Sequence, residues 1–152
     1  MNKPRPPILI CYDGSPGAAQ AITTAGTLCP GSPAIVLHVW SGAAAEHIRI
    51  PGDGTEAEQR ELTEDIRSAA HRHATAVATE GTQLAHDAGL DATPLTEEAE
   101  DDPANAIMRV AAKESAAAVV IGRTSRTRLG HLLPGSVSRH IINHSPAPVV
   151  LV

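Results

Sequence analysis

The chain has 152 residues, 42% of them hydrophobic and 19% charged, and a formal net charge of -5. Aromatic residues are nearly absent, with no Phe, one Trp (Trp40) and one Tyr (Tyr12). This balance argues against a bulk nucleic-acid binder, which needs a basic face, and against a single-strand binder, which needs stacking platforms.

Length predicts one domain over residues 1–152, with a core built from Ala, Val, Ile and Leu. Small apolar side chains let helices approach a sheet closely, which favours an α/β layered fold. The N-terminal MNKPRPPILI has no apolar stretch of signal-peptide length, and no later segment reaches membrane-spanning length. The expectation is a cytoplasmic protein with no membrane partner.

Ile8 to Tyr12 is a short apolar run and reads as a buried strand. Asp13-Gly14-Ser15-Pro16 supplies a turn, an N-cap at Ser15 and a proline in the first helical turn. The alanine-rich stretch Gly17 to Leu28 reads as a helix stopped by Cys29-Pro30-Gly31, and Ala34 to Val39 as a second buried strand. Ser41 to Thr55 is polar and glycine-containing, which predicts an irregular loop. A long helix is expected from Glu56 to about Ala88, kinked near Gly81.

Asp91 to Thr96 predicts a weak strand, placed at a sheet edge because Pro94 has no N–H for a ladder. The acidic run Glu97, Glu98, Glu100, Asp101, Asp102 reads as a solvated loop that favours the start of the next helix. That helix opens at Pro103 and runs to about Ser115. Ala118 to Ile121 is a strand, Ser136 to Asn143 a helix and Pro148 to Val152 the last strand. Strands joined by helical crossovers imply a parallel sheet with helices on both faces. Cys11 and Cys29 lie on apolar segments and read as free thiols rather than a disulfide framework.

In such sheets ligands bind beyond the carboxyl ends of the strands, where the winding reverses. Two strand ends carry suitable chemistry. After the first strand, Asp13 is placed to accept from ribose hydroxyls or help hold a metal near phosphates, or else only to cap the following helix. After the fourth strand comes Gly122, then a loop, then Gly135-Ser136 at a helix entrance. Between Gly122 and His144 stand Arg123, Arg126, Arg128 and Arg139 and no Asp or Glu. The N–H groups of Ser136, Val137 and Ser138 have no intrahelical partner, and the hydroxyls of Ser136 and Ser138 add donors. Positive charge, free N–H groups and a helix N-terminus together favour an anion over an ordinary serine cap. The Walker A pattern is missing, and the first turn reads DGSPGA rather than G-x-G-x-x-G.

His71 and His73 are two apart on a helix and point about 200° apart. His140 and His144 have the i, i+4 spacing but no third ligand nearby in sequence, so no metal site is expected. His38 reads as a satisfied core side chain. No catalytic triad has a recognisable spacing, and nothing in the glycine loop supplies a base for water. No catalytic residue is therefore assigned, and any hydrolysis is expected to be slow.

Three segments, ILICYDGSPGAAQAI, IVLHVW and VVIGRTSRTRLGHLLPGSVSRHIINHSPAPVVLV, make the chain resemble the universal stress protein family over essentially its full length. ATP-binding members carry G-x2-G-x9-G-[S/T] after the fourth strand. Here Gly122 is followed by Ser125 at the second glycine position and by Gly135-Ser136 at the expected distance. The resemblance implies a Rossmann-like α/β fold: a five-stranded parallel open sheet, strand order 3-2-1-4-5, with helices on both faces. It implies ATP, with a divalent ion such as Mg or Mn, in a crevice between the first strand and the glycine loop. Asp13 would contact the ribose, and backbone near Tyr12 and Val39 would line the base. Gly122, Thr124 and Ser125 would approach the ribose and phosphates, and Gly135, Ser136, Val137 and Ser138 would cradle the phosphates. It also implies a homodimer through the apolar C-terminal strand, which would otherwise leave an unpaired edge. Two rivals stay open. One is a dimeric protein-interaction module that binds no ATP, which Ser125 favours. The other is a sensor of a different adenine nucleotide, such as a cyclic one.

Overall fold

Four short apolar runs and one polar edge segment pair into one parallel sheet in a computed structural model that describes residues 5–52, 54–123 and 135–152. The strands are β1 (Ile8–Cys11), β2 (Pro33–Trp40), β3 (Asp91–Glu98), β4 (Ala118–Ile121) and β5 (Val149–Leu151), in the order β3-β2-β1-β4-β5. Ile10 stands opposite Val36 on one side and Val120 on the other, so β1 is central and flanked by β2 and β4. The helices are α1 (Pro16–Leu28), α2 (Ala43–His47), α3 (Glu56–Asp87), α4 (Pro103–Lys113) and α5 (Ser136–His144). This is the α/β fold, sheet order and helical layering expected from the sequence.

Strand alternation divides the core in two. Ile8, Ile10, Tyr12 and Val36 face Ala18, Ala21, Ile22 and Ala25 of α1 and Ala85 of α3. Leu9, Leu37, Val119 and Ile121 face Ala104, Ile107 and Val110 of α4 and Ile141 of α5. Alanines on the helices and branched residues on the strands fill the layers without Phe. Each fully buried Leu or Ile stabilises the fold by roughly 1.5–3 kcal/mol.

Three local expectations change. The Ser41–Thr55 loop contains a short helix, α2, because Ala43 to Glu46 are strong helix formers and Ser41 Oγ accepts from the Ala43 N–H at 3.2 Å. α3 runs unbroken past Gly81, which lies against the Tyr12 ring and Val36 rather than at a kink. It starts at a capping box, with Thr55 and Glu58 bonding each other's backbone N–H, and the Thr55 N–H and hydroxyl, both donating to the Glu58 carboxylate, lower its pKa. Finally, Glu97 and Glu98 belong to β3 rather than to a loop. They pair with Arg109 of α4 at 3.0 Å and Arg67 of α3 at 2.6 Å. These half-exposed pairs position the edge strand more than they stabilise it, at about 0–1 kcal/mol each.

Candidate functional site

The sheet order puts the winding reversal between β1 and β4, and a cavity of about 280 Å³ opens there at the carboxyl ends of the strands. Its floor is apolar, made by Cys11 of β1, Leu37 and Val39 of β2, Ile107 of α4, Ile121 of β4 and Ile141 of α5. The polar side chains that line it belong to Asp13, Ser15, His38, Ser136 and Ser138. An apolar slot with a few convergent polar groups is the usual form of a small-ligand site, and this volume falls just below the usual ~300–1,000 Å³.

Sequence places Asp13 here through a short series of local bonds. β1 ends at Cys11, and the Asp13 carboxylate folds forward so that Oδ1 accepts from the Ser15 N–H at 2.9 Å. Ser15 Oγ in turn accepts from the Ala18 N–H at 3.2 Å and caps α1. Asp13 thus shapes the turn before the helix, while Ser15 is the cap itself. Gly14, with φ of 80°, occupies the left-handed conformation this turn demands.

The opposite wall is the start of α5. Gly135 is its N-cap and has no side chain to close the turn. The first intrahelical bond runs from the Arg139 N–H to the Gly135 carbonyl at 3.0 Å, so the N–H groups of Ser136, Val137 and Ser138 lie outside the helical ladder. All four residues from Gly135 to Ser138 line the cavity. A helix N-terminus there favours negative charge by roughly 0.3–1 kcal/mol or more.

Gly122 lets the two walls approach. A Cβ on it would collide with the Gly17 carbonyl, and a Cβ on Gly17 would collide with the Arg123 carbonyl. The first turn of α1 and the exit of β4 therefore touch backbone to backbone. The Arg123 N–H donates to the Val152 carbonyl at 2.8 Å, tying this exit to the end of β5.

Two titratable groups at the end of β1 are shifted upward. Burial, with the Asp13 charge adding to it, pushes the Cys11 thiol up to about 12, so this floor residue stays neutral and poorly nucleophilic. Burial and a 2.5 Å hydrogen bond from the Tyr12 hydroxyl to Glu80 push the Tyr12 phenol up to about 12. The Tyr12 ring thus belongs to the core under α3, and its backbone is the part at the crevice.

Of the residues singled out from sequence, Tyr12, Asp13, Val39, Gly122, Gly135, Ser136, Val137 and Ser138 meet in this cavity. Thr124 and Ser125 lie outside the described residues, as do Arg126 and Arg128. Arg123 and Arg139 are exposed and are not among the lining residues. Of the floor, sequence reading picked out Val39 and missed the rest. Period-two alternation from Leu9 and Leu37 marks Cys11 and Val39 as sharing one face, but Ile107 and Ile141 reach it only through helix docking. Trp40 packs on the His71 ring, at 5.3 Å between centroids. No cluster of three metal-ligating side chains occurs among the described residues.

Fold and crevice together define a doubly wound α/β protein with a ligand slot at its switch point. The sequence pattern of the universal stress protein family matches residues 4–152, and the chain belongs to that family. It is similar to a universal stress protein of Methanocaldococcus jannaschii, 28% identical over 145 residues that cover 95% of this chain and 80% of the relative. Its fold matches UspA from Lactobacillus plantarum, with a TM-score of 0.68, 22% identity and 99% coverage of both chains. It also matches the Archaeoglobus fulgidus universal stress protein in complex with dAMP, with a TM-score of 0.64, 18% identity and 98% coverage of both. Solved proteins of the same fold include one from Arabidopsis thaliana with AMP bound and a universal stress protein in complex with cAMP.

Proposed function

We propose that this protein is a cytoplasmic adenine-nucleotide receptor that takes ATP in the β1–β4 crevice and signals by occupancy rather than by turnover. The observation that carries the reading is the convergence of Asp13, the apolar floor and the open start of α5 on one cavity. An adenine base suits the floor beside Val39, a ribose suits Asp13, and phosphates suit the N–H groups of Ser136 to Ser138. The family resemblance would add Thr124 and Ser125 to the phosphate side. The adenylates held by solved relatives support the same ligand class. Asp13 is the one carboxylate among the described lining residues, so a divalent ion such as Mg or Mn would be held chiefly by the phosphates themselves. Ser136 to Ser138, the segment suited to the phosphates, carries no general base, which keeps slow hydrolysis or none as the expected behaviour.

Calorimetric titration with ATP and magnesium tests the reading. Saturable heat and a raised melting temperature are expected, and the absence of both rejects it. Competition by AMP and cAMP then ranks the adenine ligands. The second reading, a dimeric interaction module with no nucleotide, is favoured by Ser125 in place of glycine. It predicts that wild type is silent and that Ser125→Gly gains ATP affinity. In either reading the chain is a single domain that pairs with its copy through β5 and acts through protein partners.

A further inference from the structure

We propose that His38 is a positioning residue for this crevice: its ring N–H holds the Tyr12 carbonyl where the β1–β2 ladder ends, and so fixes the peptide that presents Asp13. The inference rests on the nucleotide reading of the crevice and adds to it a residue outside the glycine loop.

The pairing of β1 with β2 ends at Cys11 opposite Leu37, with one further rung from the Tyr12 N–H to the Leu37 carbonyl at 2.9 Å. A continuing parallel ladder would next send the Val39 N–H to the Tyr12 carbonyl. Among the described residues no backbone N–H donates there. Instead His38 Nδ1 lies 2.9 Å from that oxygen. A carbonyl oxygen only accepts, so Nδ1 carries the hydrogen whether the ring is neutral or charged. The side chain thus supplies the bond that the backbone gives up as β1 leaves the sheet.

What this secures is direction. The Tyr12 ring is packed beneath Gly81 of α3 and its hydroxyl is bonded to Glu80. With the ring held on one side and the carbonyl on the other, the Tyr12–Asp13 peptide has one orientation. The next two bonds, Asp13 to the Ser15 N–H and Ser15 to the Ala18 N–H, carry that orientation into the rim and the cap of α1. Remove the ring donor and the peptide is free to rotate toward water, which turns the Asp13 carboxylate away from the slot.

The test uses His38→Leu, which fills the space without a donor, and His38→Asn, whose side-chain N–H stands at the position of Nδ1. Each is titrated with AMP and with ATP and magnesium, and each is also unfolded in urea. His38→Leu is expected to weaken binding about tenfold, the equivalent of one hydrogen bond, and His38→Asn to restore it. In an Asp13→Asn background the His38→Leu change should cost little more. Equal affinity of His38→Leu and wild type, failure of Asn to rescue, or an undiminished loss in the Asp13→Asn background overturns the proposal. A ligand-free measurement separates it from the nucleotide reading: ring 15N shifts at alkaline pH should report the Nδ1–H tautomer at His38. The Nε2–H tautomer overturns the positioning role, whereas a wild-type chain that binds no adenylate overturns the nucleotide reading and leaves the tautomer to decide on His38.

Discussion

Tyr12, the one tyrosine of the chain, is 3% exposed and held through its hydroxyl by Glu80. Its neighbour Cys11 lines the floor of the crevice, and both are displaced upward, Tyr12 from 10.0 to about 12 and Cys11 from 9.0 to about 12. For both groups folding favours the protonated form, because the charged form would be desolvated beside a carboxylate. Their contribution to stability is therefore complete below pH 9 and is lost as pH rises towards 12. Urea midpoints measured between pH 8 and 12 should fall across that window. Tyr12→Phe should remove the part above pH 10, leave the Cys11 part, and cost about 0.5–1.5 kcal/mol at neutral pH for the lost hydrogen bond. An alkaline limb that Tyr12→Phe leaves unchanged would show that Tyr12 titrates as it does in the unfolded chain.

At the scale of elements, the contact between the first turn of α1 and the end of β4 joins the two halves of the crevice. A methyl at Gly122 would run into the Gly17 carbonyl and the Ala18 nitrogen, which are backbone atoms with no rotamer to give way. Gly122→Ala should therefore lift α1 from β4. Overpacking of this kind costs about 1–3 kcal/mol, read as a lower urea midpoint, and the same variant should lose whatever adenylate affinity wild type shows. Unchanged stability would mean that α1 docks independently of β4. Sequence made some of these elements plain and hid others, for physical reasons. The strands were legible because short apolar runs ended by Pro or Gly have few alternatives, and Ser15 and Asp13 announced the turn they make. Gly81 was misread as a kink because a glycine in a helix looks the same whether it weakens the helix or admits a neighbour. Only the fold shows the Tyr12 ring beneath it, 2.5 Å from where a Cβ would stand. Glu97 and Glu98 looked like loop because their partners, Arg109 and Arg67, are brought to them by two helices. On the site, the rim residues carry polar chemistry and could be picked out one by one. Apart from Val39, the floor could not, since Ile107 and Ile141 look like any core residue until α4 and α5 are docked.

At the scale of the whole molecule, the two edges of the sheet differ. The β3 edge is defended: Pro94 interrupts its donors, Asp91 and Thr93 are exposed beside it, and Glu97 and Glu98 sit near its end in ion pairs. Among the described residues the β5 edge has no such device. Val149, Val150 and Leu151 are all partly buried rather than covered, and all are apolar. The inward bonds of this strand run from the Val119 N–H to the Pro148 carbonyl at 2.8 Å and from the Val152 N–H to the Ile121 carbonyl at 3.0 Å. In a parallel ladder alternate residues bond the same neighbour, so Val149 and Leu151 turn their backbone groups away from β4. Those are the groups a second copy of β5 would take up. Val149→Pro deletes an outward N–H, retains an apolar side chain of similar size and touches none of the inward bonds. Sedimentation should find wild type as a dimer and Val149→Pro as a monomer at equal concentration, with circular dichroism unchanged. If both sediment alike while the fold is intact, β5 is not the joining edge.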